Sequence, residues 1–121
     1  MDRRKIAALA ASAALLIPLT AGAAQAATLT GSGRGTWYDP GLGSCGGTYT
    51  SSDAVVALST NFGATYCGKS VQVTYGGKTV TAKVVDSCPS CGPGDLDMSP
   101  AAFQALAPLD VGVEPVTWSI S

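Results

Sequence analysis

The sequence has no histidine, and only 12% of its 121 residues are charged. The missing imidazole counts against a zinc site, for which Cys and His are the usual ligands. After residue 26 the chain carries four basic and seven acidic residues, a net charge of −3. Without a basic patch, no nucleic-acid partner is expected. No cofactor or metal is expected either.

Long apolar runs are absent apart from one at the N-terminus. A positive segment, Arg3 to Lys5, precedes the apolar stretch Ile6 to Leu19, and Ala24-Gln25-Ala26 supplies a small-x-small cleavage site. This order is typical of a secretory signal peptide, and the run is too short for a membrane anchor. We therefore predict a signal peptide over residues 1–26 and one domain over residues 27–121. The protein is expected to be secreted, extracellular and monomeric, with no membrane partner.

The four cysteines are Cys45, Cys67, Cys88 and Cys91. An even number in a small secreted chain predicts two disulfides, which stabilise a domain with a modest core. Three pairings are open at this point. A zinc site at Cys88-x-x-Cys91 is the weaker alternative, because the other two cysteines lack this spacing and the chain has no histidine.

Alternating residues predict a β-hairpin. Val71 to Tyr75 and Thr79 to Val85 each alternate apolar and polar side chains, and Gly76-Gly77 joins them. Two glycines supply the positive φ that tight hairpin turns need. Further strands are predicted over Arg34–Tyr38, Ala54–Leu58 and Val116–Ile120, with Thr28–Gly33 as a frayed lead-in.

A short helix is predicted to begin at Ser99-Pro100, where Ser caps the helix and Pro occupies its first position. The helix is expected to continue to Ala107, and Phe103 and Trp118 are expected in the core. About six short strands and one helix predict a small closed β-barrel.

Five blocks of the sequence, in order, carry a family resemblance. They read GTWYDPGLGSCG, VVALS, CGKSVQVTYGGKTVTAKVVDSCPSC, DLDMSPAAFQALA and VEPVTWSI. Together they resemble the double-psi β-barrel proteins, which include expansin first domains, barwin-like proteins, rare lipoprotein A-like domains, family-45 endoglucanases and streptomycete inhibitors of papain. The resemblance implies a mainly β fold, a disulfide-stapled, six-stranded double-psi β-barrel with one short helix. It also implies a groove across one face.

The resemblance also implies particular groove residues. Asp97 stands where expansin-like proteins carry an aspartate essential for wall loosening, Asp86 matches a second groove aspartate, and Thr36 matches a threonine on the first strand. Alternation places Trp37 and Tyr38 on opposite faces, and Tyr38 is the aromatic candidate for the groove. The disulfide pairing implied by the family is Cys45–Cys67 and Cys88–Cys91.

Catalysis is not predicted. In family-45 endoglucanases the acid matches Asp97, but the position of the base is Pro40 here. Asp39 lies one position early, and a one-residue slip on a strand reverses the side-chain face. The rare lipoprotein A motif includes a histidine that this chain lacks. The predicted catalytic residues are therefore none, and the protein is expected not to be an enzyme.

Three functions stay open. The first is inhibition of papain-like cysteine proteases through the loops at residues 39–49 and 59–69. The second is non-hydrolytic binding or loosening of cell-wall polysaccharide through Thr36, Asp86 and Asp97. The third is endoglucanase-like hydrolysis. The interface candidates in the two loops are Asp39, Leu42, Tyr49, Asn61, Phe62 and Tyr66.

The groove carboxylates also have a purely structural interpretation. Asp97 precedes a helix start, where a carboxylate is favoured by free N–H groups. Asp86 is expected to accept hydrogen bonds from N–H groups of the Cys88–Cys91 loop. Asp95 is expected to be a solvated loop charge.

Overall fold

The structure is a computed structural model that describes residues 29–121. The predicted signal peptide lies outside the described residues. Six strands form a closed barrel in the order β1-β5-β2-β4-β3-β6. The strands are β1 (Leu29–Trp37), β2 (Val55–Ser59), β3 (Ser70–Tyr75), β4 (Lys78–Cys88), β5 (Leu96–Met98) and β6 (Glu114–Ile120), with one α-helix, α1 (Pro100–Gln104), and two 3-10 turns at Thr60–Phe62 and Leu109–Val111.

Two strand pairs of the barrel are parallel and four are antiparallel. β1 runs parallel to β5, and β2 runs parallel to β4. The hairpin of β3 and β4 is antiparallel from Ser70↔Lys83 to Tyr75↔Lys78. The mainly β, six-stranded barrel and the hairpin are therefore confirmed.

The first strand begins earlier than predicted, so the frayed lead-in over Thr28–Gly33 is wrong for its described residues. Leu29 to Gly35 pair with Ile120 to Glu114 of β6. The small residues here make room for a large partner, since a Cβ at Gly31 would overlap the indole ring of Trp118. A glycine-rich stretch resembles a loop in the sequence, but packing against a bulky neighbour keeps it in the sheet.

Helix α1 begins as predicted and ends earlier. The Ser99 hydroxyl accepts the Ala102 N–H at 3.2 Å, and Pro100 occupies the first turn. The helix ends at Gln104 rather than Ala107. The amide of Leu106 already donates to the Phe103 carbonyl three residues back, so the chain tightens into a turn.

The core fills the barrel interior and the space under α1. Phe103 and Trp118 are buried, as predicted. The inward residues of β6 alternate along the strand, and the inward residues of β5 flank Asp97. The described part of the chain contains no helix long and apolar enough to cross a membrane.

Two disulfides fasten the loops outside the barrel. Cys45 bonds to Cys67, which joins the loop after β1 to the loop before β3. Cys88 bonds to Cys91 and closes a tight turn at the end of β4. Both pairs are those implied by the family resemblance.

Candidate functional site

Three of the four groove candidates lie in one row across neighbouring strands. Thr36 of β1 is opposite Asp97 of β5, and Ala57 of β2 is opposite both Asp97 and Asp86 of β4. Adjacent strands lie about 4.8 Å apart, so the backbones of the two aspartates are separated by two strand spacings, or about 10 Å. Ala57, which is 2% exposed, lies between the two aspartates in this row.

A β-bulge in β4 turns Asp86 toward this groove. Val56 pairs with Val84 and Ala57 pairs with Asp86, so Val85 is an extra residue in β4. Because Val84 belongs to the core, unbroken alternation would have pointed Asp86 into the core as well. Bulges often re-aim a side chain in this way. Sequence periodicity does not reveal the bulge.

Three donors hold the Asp86 carboxylate. Its Oδ1 accepts the backbone N–H groups of Ser44 and Ser87, both at 2.9 Å. Its Oδ2 accepts the Tyr38 hydroxyl at 3.1 Å. Asp86 therefore accepts hydrogen bonds from backbone N–H groups, as predicted, but not from those of the Cys88–Cys91 loop. The loop after β1 supplies the Ser44 N–H instead.

Hydrogen bonding keeps Asp86 ionised. Burial raises the pKa of the Asp86 carboxyl, but the bonds from Ser44, Ser87 and Tyr38 together outweigh it and lower the pKa below its usual range. Burial, followed by the adjacent Asp86 charge, raises the pKa of the Tyr38 hydroxyl. Tyr38 therefore stays a donor and Asp86 an acceptor.

Asp97 has the opposite electrostatic character. Its Oδ1 accepts the Thr36 hydroxyl at 2.9 Å. Burial, and then the negative charge of Asp86, raise the pKa of the Asp97 carboxyl, although the Thr36 bond opposes the shift. Asp97 does not cap α1, because the Ser99 side chain does so.

A cavity of about 80 Å³ opens beside Asp97 and Thr36. Asp95 forms part of its wall and is not the solvated charge predicted from the sequence. Its carboxylate accepts the backbone N–H groups of Arg34 and Gly92, both at 2.9 Å, and pairs with the Arg34 guanidinium at 3.2 Å. These bonds, chiefly from the Arg34 N–H, lower the pKa of Asp95.

A second and larger cavity, of about 610 Å³, is open to solvent between β1, β3 and β6. Tyr75, Val113 and Pro115 line it, and Arg34 borders both cavities. Neither Asp86 nor Asp97 contributes to it. Sequence reasoning did not identify this cavity, because its residues come from strands whose outward faces carry no chemical motif.

The segment of residues 39–49, called here the Leu42 loop, folds into a small hairpin. Leu42 bridges Thr48, the Gly43 N–H donates to the Gly47 carbonyl at 2.8 Å, and the Tyr49 N–H donates to the Gly41 carbonyl at 2.9 Å. The sequence predicted only a turn here. The hairpin arises because the loop closes on itself across these backbone bonds.

The Leu42 loop is fastened to the end of β4. The Cys45 N–H donates to the Val85 carbonyl at 3.2 Å, and the Ser44 N–H donates to Asp86. A Cβ at Gly43 would overlap the Val85 carbonyl oxygen, so only glycine permits this close approach. The Asp86 carboxylate and the bulge at Val85 therefore link the groove to this loop.

The six interface candidates differ in how freely their side chains could contact a partner. Leu42 is 76% exposed. By contrast, Phe62 packs edge-to-face on Tyr66 at 5.9 Å and on Trp118 at 6.4 Å between ring centroids. Asn61 is exposed, while Asp39 accepts the Ser51 hydroxyl and the Tyr49 ring lies beside the Lys83 ammonium.

Comparison with known proteins now identifies the family. The sequence profile of a family of double-psi β-barrels, described as lytic transglycolase, matches residues 30–118. The chain belongs to the double-psi β-barrel family. The predicted resemblance is thus confirmed over most of the chain.

Relatives of this double-psi barrel carry different names. The papain inhibitor of Streptomyces mobaraensis is 41% identical over an alignment that covers 88% of this chain and 85% of the inhibitor. Kiwellin of Actinidia chinensis var. chinensis is 37% identical, over 60% of this chain and 42% of kiwellin.

Two solved structures share this barrel. The Streptomyces papain inhibitor superposes with a TM-score of 0.67 at 36% identity, covering 78% of this chain and 96% of the inhibitor. A mutant Clavibacter michiganensis expansin in complex with cellohexaose superposes with a TM-score of 0.70 at 31% identity. The match covers 77% of this chain and 50% of the expansin.

Proposed function

We propose that this double-psi barrel is a secreted inhibitor of papain-like cysteine proteases. One observation carries the proposal: the 41% identity to the Streptomyces mobaraensis papain inhibitor extends over 88% of this chain and 85% of the inhibitor. A likeness over nearly a whole domain favours a shared function more than a likeness confined to one motif.

The rigidity of the exposed loops supports this function. The Cys45–Cys67 disulfide ties the Leu42 loop to the segment of residues 59–69. A loop that is already fixed before binding loses little conformational entropy when it enters a protease cleft. The barrel thus supplies a scaffold on which a binding surface is held in one shape.

The two groove carboxylates do not favour hydrolysis. A glycosidase needs a carboxylate that is free to act as base or nucleophile opposite its acid. The lone pairs of Asp86 are engaged by three donors, and the base position of the related endoglucanases is Pro40. Lytic activity of the rare lipoprotein A kind would need a histidine, and the sequence has none. We therefore propose a non-enzymatic role.

The proposed function is tested by titrating active papain with the purified protein and measuring the residual hydrolysis of a peptide substrate. Stoichiometric or near-stoichiometric loss of activity is expected. Full papain activity in the presence of a micromolar excess of the protein would refute the proposed function. Recovery of intact protein after the assay distinguishes an inhibitor from a competing substrate.

Polysaccharide binding is a second candidate, favoured by the structural likeness to an expansin in complex with cellohexaose. The groove offers the Asp97–Thr36 pair and the adjoining cavity as polar contacts for sugar hydroxyls. Calorimetric titration with cellohexaose tests it. If the groove binds the sugar, Asp97→Asn weakens binding by about tenfold, which is the effect of losing one hydrogen bond, because the amide group has one acceptor oxygen where the carboxyl group has two. Absence of heat with the wild-type protein would exclude this ligand.

A further inference from the structure

We propose that the Leu42 loop is the surface that contacts the protease, and that Leu42 inserts into an apolar pocket of the protease cleft. This inference rests on the proposed inhibitory function and names the residue through which it acts. The proposed contact does not include the carboxylates of the groove.

The exposure of Leu42 is the first reason. Four large apolar residues are exposed within residues 29–121, and Leu42, at 76%, has the highest exposed fraction. The remaining three are Trp37, Val111 and Val113. Trp37 is anchored, because its indole N–H donates to the Leu109 carbonyl at 2.9 Å. Leu42 thus offers the largest gain in apolar burial upon association with a partner.

The fixed backbone beneath Leu42 is the second reason. The Asp86 carboxylate holds the Ser44 N–H, the Val85 carbonyl holds the Cys45 N–H, and Cys45 is bonded to Cys67. An exposed apolar residue on a mobile loop would lose much of its binding energy to ordering. On this braced hairpin the backbone that carries the side chain is already fixed, so little conformational entropy is lost on binding.

The shape of the loop is the third reason. A Cβ placed at Gly41 or Gly46 would meet no atom within 4 Å, so the hairpin projects into open space on these sides. Gly41, directly before Leu42, adds no side chain to this projecting segment, whereas Gly43, directly after it, lies against β4. A narrow, extended backbone segment is the form in which peptides enter clefts that bind main chain.

The neighbouring segment of residues 59–69 does not offer a comparable anchor. Its aromatic side chains, Phe62 and Tyr66, pack against the core near Trp118. Withdrawing either of them to meet a partner would open the core. This segment also carries Cys67, to which the Leu42 loop is bonded through Cys45.

Inhibition constants of three variants against papain test this inference. Truncating a side chain that is buried in a pocket, as in Leu42→Ala, is expected to weaken inhibition about 30-fold, which corresponds to about 2 kcal/mol. Leu42→Asp is expected to weaken it at least 100-fold, because a carboxylate would be buried without a partner. Val113→Ala trims another exposed apolar side chain, at the cavity between β1, β3 and β6, and is expected to inhibit like wild type.

The outcomes separate this inference from the function on which it rests. If wild-type protein fails to inhibit papain, the proposed function fails and this inference with it. If wild type inhibits and Leu42→Asp inhibits equally well, inhibition stands but the Leu42 surface is wrong. Because Leu42 has no packed environment, its variants are expected to keep the wild-type melting temperature, and this is measured alongside.

Discussion

Glu114 should make the stability of this protein fall as the pH rises. This first residue of β6 pairs with Gly35 of β1 and is 0% exposed. Neither of its carboxyl oxygens has a hydrogen-bond partner within residues 29–121. Burial raises the pKa of the Glu114 carboxyl, so the folded protein holds a proton that the unfolded chain releases.

The sign and size of the effect follow from proton linkage. An ordinary glutamate loses its proton at about pH 4.3, whereas Glu114 in the folded protein does so at a higher pH. Between these two values the unfolded state binds fewer protons than the folded state. The free energy of unfolding therefore falls by about 1.4 kcal/mol for each pH unit, and the loss stops once the pH exceeds the pKa of the folded state.

Urea unfolding of the wild type and of Glu114→Gln between pH 4 and pH 8 measures this effect. The amide keeps the shape of the side chain and removes its titration. The variant should gain stability relative to wild type as the pH rises, with the slope just given. If the free energies of unfolding of Glu114→Gln and wild type differ by the same amount from pH 4 to pH 8, Glu114 does not hold a proton in the folded protein.

Two further predictions concern the scaffold. Replacing both Cys45 and Cys67 by Ala removes a disulfide with a sequence separation of 22. The free energy of unfolding, measured by urea titration, should fall by about 3 kcal/mol. A loss below about 1 kcal/mol would contradict this prediction. Gly31→Ala drives a methyl group into the Trp118 ring, so a loss of about 1–3 kcal/mol and altered tryptophan fluorescence are expected. Unchanged stability and fluorescence would mean that Trp118 does not pack on Gly31.

Much of the barrel could be predicted from local patterns and from the family blocks. The β3–β4 hairpin is encoded by alternation around Gly76-Gly77, and the start of α1 by Ser99-Pro100. Strand β5 is only three residues long, too short to show a period. The early start of β1 is not visible in the sequence, because Gly31 makes room for Trp118, which lies far away in the sequence.

The site was predictable in its residues but not in its roles. Position within the family blocks pointed to Asp86 and Asp97, and both lie in the same strand row as Thr36. Their different environments depend on tertiary contacts that no local pattern reports. The bulge at Val85 aims Asp86 at the groove, and the returning loop supplies the Ser44 N–H that holds it.

Glu114 was not identified from the sequence at all. A glutamate at the start of a strand gives no sign of burial, because charged residues are mostly exposed. Its full burial follows from the inward register of β6, which it shares with Val116 and Trp118.

The proposed inhibition of a cysteine protease depends on the Leu42 loop and not on the carboxylate groove. One papain titration, performed side by side with wild type, Leu42→Asp and Asp97→Asn, tests it most directly. We predict that wild type and Asp97→Asn inhibit with the same constant, whereas Leu42→Asp is at least 100-fold weaker, because it buries an unpaired charge. Strong inhibition by Leu42→Asp together with loss of inhibition by Asp97→Asn would show that the groove, and not the Leu42 loop, contacts the protease.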